Sequence, residues 1–135
     1  APAVLEEDVE HYFEITGNSP YMLQVHKVKQ QLINPLPENY HTLSLQDKLY
    51  TVKSSLPAIT HVDFSARIQT VNKQQHPLFW KLINPFKERT GCSLIINTSF
   101  NIKDEPIVCS PKDAFRCFVK TNMDVLVVGK TIFYK

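Results

Sequence analysis

Asn97-Thr98-Ser99-Phe100-Asn101 follows the apolar run Ser93-Leu94-Ile95-Ile96 and places four short hydrogen-bonding side chains within five residues. Uncharged hydroxyl and amide groups, with the N–H groups of a turn, can surround a phosphate or acyl-phosphate oxygen without burying a charge. The same residue types also cap turns by bonding nearby backbone. In open α/β sheets ligands gather at the carboxyl ends of strands, where this cluster would sit.

A second cluster lies in Thr60–Val71. In an extended chain His61, Asp63, Ser65, Arg67 and Gln69 share one face, and Val62, Phe64, Ala66 and Ile68 share the other. Such a stripe spans roughly 27 Å at about 3.3 Å per residue. It reads as a solvated outer face with a surface ion pair, or as a polar wall facing a ligand. In the second reading Arg67 is the anion partner, because its guanidinium donates in a fork that matches phosphate or carboxylate. His61 and Asp63 could share a metal, but the neighbouring sequence supplies no further ligands. Three glycines cannot build a glycine-rich phosphate loop.

The elements that must position these groups alternate between helix and strand. Leu5, Val9, Tyr12, Phe13 and Thr16 recur at helical spacing, so residues 4–16 read as an amphipathic helix stopped by Gly17. Tyr21 to Val28 alternates as a strand. From Gln30 to Leu56 the pattern fails, and Pro35 and Pro37 point to a long excursion, either a lid or a variable connection. Ala58 to Val71 is extended again. A helix begins at Pro77 and uses Phe79, Leu82, Ile83 and Phe86 as one face, with Pro85 expected to kink it or end it early. Gly91 closes that segment, and Cys92 to Asn97 forms a buried strand. Ser110, Pro111 and Asp113 signal the start of another helix. Val125–Val128 and Thr131–Tyr134 form a hairpin around Gly129-Lys130. The class is α/β (α+β), a twisted mixed sheet with helices packed on it.

The 135 residues suffice for one domain with a core. A net charge of +2 argues against nucleic acid. No apolar stretch approaches the roughly 20 residues of a membrane helix, and no basic-then-apolar leader is present. Cys92, Cys109 and Cys117 form no CxxC pair and read as reduced, buried thiols of a cytoplasmic protein. The chain opens on Ala1-Pro2-Ala3 without methionine, so it reads as a piece of something longer.

Three strings, HVDFSARIQTV, TGCSLIINTSFNIKDEPIVCSPKDAFRCF and TNMDVLVVGKTIFYK, resemble the C-terminal domain of the NodU/CmcH family of O-carbamoyltransferases. APAVLEEDVEHYF resembles the segment that opens that domain. The resemblance covers nearly the whole chain outside Gln30 to Leu56, and several long strings occur in order. It implies a YrdC-like fold that takes carbamoyl phosphate and ATP, with Mg²⁺, and forms carbamoyl-adenylate. A larger N-terminal, metal-holding transferase domain would then pass the carbamoyl group to a hydroxyl-bearing small molecule or oligosaccharide. Ser99-Phe100-Asn101 resembles the SxN element that lines the acyl and nucleotide pocket, and Arg67 falls on the ligand wall. By the same resemblance Arg67, Ser99 and Asn101 are the catalytic set, with Asn97, Thr98, His61, Asp63 and Ser65 as ligand-binding neighbours.

The family usually has glycine where Phe64 stands, and its Lys-x-Arg-Glu element lies just upstream of the APAVLEE opening. Lys27 and Lys29 are candidates for supplementary cations. The isolated chain is therefore expected to fold yet be inactive. Two other classes compete: a non-catalytic YrdC-like module binding nucleotide or double-stranded RNA, and an interaction domain whose pocket has decayed. Salt-sensitive RNA retention would mark the former, and the intact NTSFN string argues against the latter.

Overall fold

The computed structural model describes residues 1–135, which divide into two compact units, Ala1–Asn97 and Thr98–Lys135. The first is built on a four-stranded sheet. Strand β1 (Pro2–Leu5) lies in its interior, parallel to β3 (Ser65–Val71) and antiparallel to β4 (Leu94–Ile96). Strand β2 (Gln24–Lys27) pairs antiparallel with the outer side of β3, giving the order β2-β3-β1-β4. The mixed sheet of an α/β protein is present.

The helix expected over residues 4–16 is mostly absent. All four residues of β1 are buried, because a strand between two neighbours and covered on both faces needs apolar side chains in succession. Only Val9–Tyr12 forms a single α-helical turn, α1, after a 3₁₀ turn at Glu6–Asp8. The helical spacing of Val9, Tyr12 and Phe13 belongs to that turn. Val4, Ala66, Ile68 and Leu94 then meet Val9, Phe13, Ile15, Val28 and Ile59 in one core. The strands expected at Tyr21–Val28 and Ala58–Val71 are both shorter at their starts, since Tyr21 and Leu23 find no cover and the chain turns at residues 61–64.

The segment from Gln30 to Leu56 is more ordered than its composition implies. Ser44 caps a short helix, α2 (Leu45–Tyr50), by accepting from the Asp47 N–H at 3.1 Å. Its hydroxyl in turn donates to Asp47 Oδ2 at 2.7 Å. The Ser-x-x-Asp spacing carried that signal in the sequence. Lys53 is buried, and its ammonium donates to the carbonyls of Lys48 and Thr51 at 2.9 and 3.0 Å, covering the carbonyl end of α2.

Helix α3 (Pro77–Thr90) runs through Pro85 and ends at Gly91, whose φ of 75° supplies the left-handed cap. Pro85 neither ends it early nor removes its last turn. The proline forfeits one helical hydrogen bond, but contacts on both sides hold the helix. Ile83, Phe79 and Trp80 pack on Ala3, Leu5 and Val71 before and around it. Beyond it Lys87 Nζ lies 2.7 Å from Asp8 Oδ2. Burial alone would raise the Asp8 carboxyl. The hydrogen bonds from Lys87 and Ser93, with the charges of Lys87 and His11, outweigh it and hold Asp8 below its ordinary value.

In the second unit Ser110 caps α4 (Pro111–Lys120), accepting from the Asp113 N–H at 3.2 Å. Strands β5 (Val125–Val128) and β6 (Thr131–Tyr134) form the expected antiparallel hairpin, with Gly129 at φ 60°. Ala114, Phe118 and Leu126 make its core together with Phe100 and Val108. Among the cysteines only Cys117 is buried; Cys92 is half-buried and Cys109 exposed, because its loop leaves one side open. No helix is long and apolar enough to cross a membrane.

Candidate functional site

Strand β3 alternates strictly. Ala66, Ile68 and Thr70 face the first core, whereas Ser65, Arg67, Gln69 and Val71 face the other side. Helix α3 covers the Val71 end of that second face. Arg67, four residues away, is exposed and takes part in none of the chain's ion pairs. Its cross-strand neighbour is the exposed Val25, which offers no charge. An uncompensated guanidinium on a rigid strand is suited to receive an anion.

Gln69, two residues on, links this strand to its surroundings. It donates through Nε2 to the Pro20 carbonyl at 3.2 Å and accepts from Asn97 Nδ2 at 2.9 Å. Asn97 is further fixed by its own N–H, which donates to the Ala1 carbonyl at 2.7 Å. Arg67, Gln69 and Asn97 thus belong to one polar ledge. Gln69 was visible in the alternating stripe but was not singled out as a site residue.

The five-residue stripe expected from His61 to Gln69 is broken at Ser65. The His61 N–H donates to the Ser65 carbonyl at 2.8 Å, and Phe64 takes a left-handed φ of 64°. The Asp63 side chain drives this turn: its Oδ1 accepts from the Ser65 N–H at 3.2 Å and from the Ser65 hydroxyl at 2.6 Å. Because the Ser65 proton goes to Asp63, Ser65 Oγ can only accept from His61 Nδ1, 3.1 Å away. That places a proton on the imidazole Nδ1. Serine stands in the middle of this chain of bonds, so it is not the arrangement of a serine nucleophile activated by histidine.

The Asp63 carboxyl is held below its ordinary value: the Ser65 hydroxyl has the largest effect, burial opposes it, and the Ser65 N–H and Lys27 add to the lowering. Lys27 Nζ lies 3.3 Å from Asp63 Oδ2 and also donates to the Asp63 carbonyl. It is therefore engaged rather than a free supplementary cation. Lys29 lines a different hollow with Glu6, Glu7, Glu10 and His11 and forms no ion pair. Glu14, Lys27, Ile33, Asp63 and Phe64 line a cavity of about 350 Å³ beside the turn.

Thr98, Ser99 and Asn101 lie in the second unit. Phe100 turns into its core, and Thr98 and Ser99 are exposed with hydroxyls that bond no other group of the chain. Asn101 is half-buried, and its Nδ2 donates to the carbonyls of Ile102 and Glu105 at 3.0 and 3.1 Å. The loop it fixes contains another left-handed residue, Asp104 at φ 67°. Asn101, Val108, Cys109 and Arg116 border a cavity of about 310 Å³, in which Arg116 is paired with Glu105 at 3.3 Å. The cap and the ligand readings of NTSFN thus separate by residue. Asn101 organises a turn, while Thr98 and Ser99 do not. No three His, Cys, Asp or Glu side chains converge on a point that could hold a metal ion.

Residues 1–135 match the family described as carbamoyltransferase C-terminus. The chain is 39% identical to the nodulation protein NolO of Bradyrhizobium diazoefficiens over 138 residues, covering all of this chain and 22% of that protein. It is 27% identical to the 3'-hydroxymethylcephem-O-carbamoyltransferase of Amycolatopsis lactamdurans over 135 residues, with the same coverage of each. An uncharacterized protein of Synechocystis is 48% identical over 135 residues, again across the whole chain and 22% of its relative. The chain spans about a fifth of the length of these curated relatives.

Proposed function

Because this chain belongs to the carbamoyltransferase C-terminus family, we propose that it is the C-terminal, YrdC-like part of a cytoplasmic ATP-dependent O-carbamoyltransferase and helps form carbamoyl-adenylate. The observation that carries this reading is Arg67, an exposed guanidinium without a carboxylate partner on the open end of a sheet face.

The reaction balances as two steps. Water removes the phosphoryl group of carbamoyl phosphate, giving inorganic phosphate and carbamate. A carbamate oxygen then attacks the α-phosphate of ATP; the new O–P bond forms as the bond to the β-phosphate breaks, and pyrophosphate leaves with the electron pair. Charge accumulates on the α-phosphate and the departing oxygen, so fixed donors matter more than a general base. In the first unit Arg67 would meet phosphate charge, with Asn97 as a ligand-binding neighbour; in the second the Ser99 hydroxyl and Asn101 amide would orient a carbamoyl group, with Thr98 beside them. His61, Asp63 and Ser65 hold the turn that starts β3 and thereby aim Arg67. Mg²⁺ would arrive on the nucleotide phosphates, since the chain offers no converging ligand set of its own. Transfer to a hydroxyl acceptor would fall to an N-terminal, metal-holding domain.

The full-length protein should catalyse exchange of pyrophosphate into ATP that depends on carbamoyl phosphate. Exchange that ignores carbamoyl phosphate, or its absence with active acceptor transfer, would overturn the reading.

A further inference from the structure

The cavity of about 350 Å³ beside the turn at Asp63 lies wholly in the first unit, and Arg67 is not among its walls. Its volume falls in the range of small-molecule sites. Val28, 3% exposed, and the half-buried Ile33, Leu36 and Phe64 line it with carbon side chains that offer water no hydrogen bond. Phe64 is the only aromatic residue among them. Glycine, usual at this position in the family, would leave the cavity without that wall.

The charged groups at the same cavity are Glu14, Lys27 and Asp63. The Glu14 N–H donates to the Lys27 carbonyl at 2.8 Å, so the two residues stand side by side. The Lys27 ammonium nevertheless goes to Asp63 Oδ2, 3.3 Å away, and the Glu14 carboxylate enters none of the chain's ion pairs. Lys27 and Asp63 balance each other. One unmatched carboxylate therefore stands beside four apolar side chains, with no set of three ligands to make it a metal site.

We propose that this cavity is a binding site for a small primary amine with an apolar body, its ammonium on Glu14 and its aryl or alkyl part against Val28, Ile33, Leu36 and Phe64. An ammonium meets the free carboxylate in a charged hydrogen bond. A ligand carboxylate would face Glu14 and Asp63, with only the engaged Lys27 to offset them. An alcohol of the same shape keeps the apolar contacts and lacks the charge.

The test titrates the full-length protein with phenethylamine, phenethyl alcohol and hydrocinnamate at neutral pH, reading binding by ligand-observed NMR. The amine should bind at least about tenfold more tightly than the alcohol, the ratio a charged hydrogen bond supplies, and the carboxylate more weakly still. Glu14→Gln should weaken the amine by about tenfold and leave the alcohol unchanged. Glu14 is exposed and unpaired, so that variant keeps its fold. Phe64→Gly should weaken amine and alcohol alike, because it removes a wall that both touch. Amine binding no tighter than that of the alcohol, or unmoved by Glu14→Gln, overturns the proposal. Tighter binding of the carboxylate overturns it too, since Lys27 would then be the partner. So does the absence of amine binding at concentrations up to about 10 mM.

Discussion

Asn97 Nδ2 donates to Gln69 Oε1 at 2.9 Å, so the end of β4 and the strand that carries Arg67 form one hydrogen-bonded piece. Gln69 and Arg67 share a face, two residues apart on β3. The guanidinium is therefore mounted on a scaffold fixed from both sides, while its own side chain remains free.

That freedom makes Arg67 a clean test. Arg67→Ala in the full-length protein should leave stability within about 0.5 kcal/mol, since an exposed side chain without partners is removed. Carbamoyl-adenylate formation should fall by about 10- to 150-fold, the equivalent of a charged hydrogen bond of roughly 1.5–3 kcal/mol. Arg67→Lys should recover little, because a point charge cannot reproduce the fork. Urea denaturation beside exchange kinetics decides it; unchanged exchange in a folded Arg67→Ala protein contradicts the assignment.

Ser99 and Asn101 should part company. Ser99→Ala removes a hydroxyl that bonds nothing in the chain and should be neutral in stability, within about 0.5 kcal/mol. Asn101→Ala removes two hydrogen bonds and should cost about 1–2 kcal/mol. A drop in exchange for Ser99→Ala without any stability loss would mark it as a ligand contact. Wild-type exchange in that variant would exclude such a contact.

Phe64 occupies a backbone conformation that costs an L-residue roughly 1–2 kcal/mol and glycine nothing. The resemblance placed glycine at this position, and the turn shows why. Phe64 compensates through its ring, 6.1 Å from that of Tyr40. Phe64→Ala should lose the ring and keep the strain, while Phe64→Gly loses the ring and relieves it. The glycine variant should therefore be the more stable of the two by about 1 kcal/mol. Thermal melts giving the opposite order would show that residue 64 leaves the left-handed region when its ring is removed.

The Asp8–Lys87 pair predicts a pH dependence. The folded Asp8 carboxyl titrates below its ordinary 3.8, so the stabilisation is complete above that pH and disappears as pH falls through the folded value. Asp8→Asn should cost about 1–2 kcal/mol near neutrality, toward the lower end because Lys87 keeps 40% of its side chain exposed. The gap between wild type and variant should close below about pH 4. Asp63 and Asp113, also held low, titrate in both proteins and cancel from the difference. A gap that persists unchanged at low pH would mean that the loss is one of packing rather than charge.

How much could be read beforehand depended on whether the deciding interaction was local. Ser110, Pro111 and Asp113 announce α4, and Gly129-Lys130 announces the hairpin, because capping and turn chemistry act over three or four residues. Strand β1 was misread since its burial comes from β3 and β4, which lie more than 60 residues away. Pro85 was given too much weight for the same reason: Leu5, Val71 and Asp8 hold α3 from outside. In the candidate site, Arg67 and NTSFN were legible as residue types. The Asp63–Ser65 turn was not, because alternation cannot reveal that a side chain will outcompete the strand for an N–H.

Buried Lys53 gives the carbonyl end of α2 a chemical clock. A reagent that acylates amines needs a solvated, unengaged nitrogen, and Lys53 is 3% exposed with its ammonium donating to backbone carbonyls. It should be the slowest lysine of the chain to acquire a label, well behind the half-exposed Lys27. Its rate therefore counts openings of the segment between Ser44 and Thr60. Measured by mass spectrometry with and without ATP and carbamoyl phosphate, a constant rate would make that segment a fixed wall, and a changed rate would make it a part that moves with its ligands.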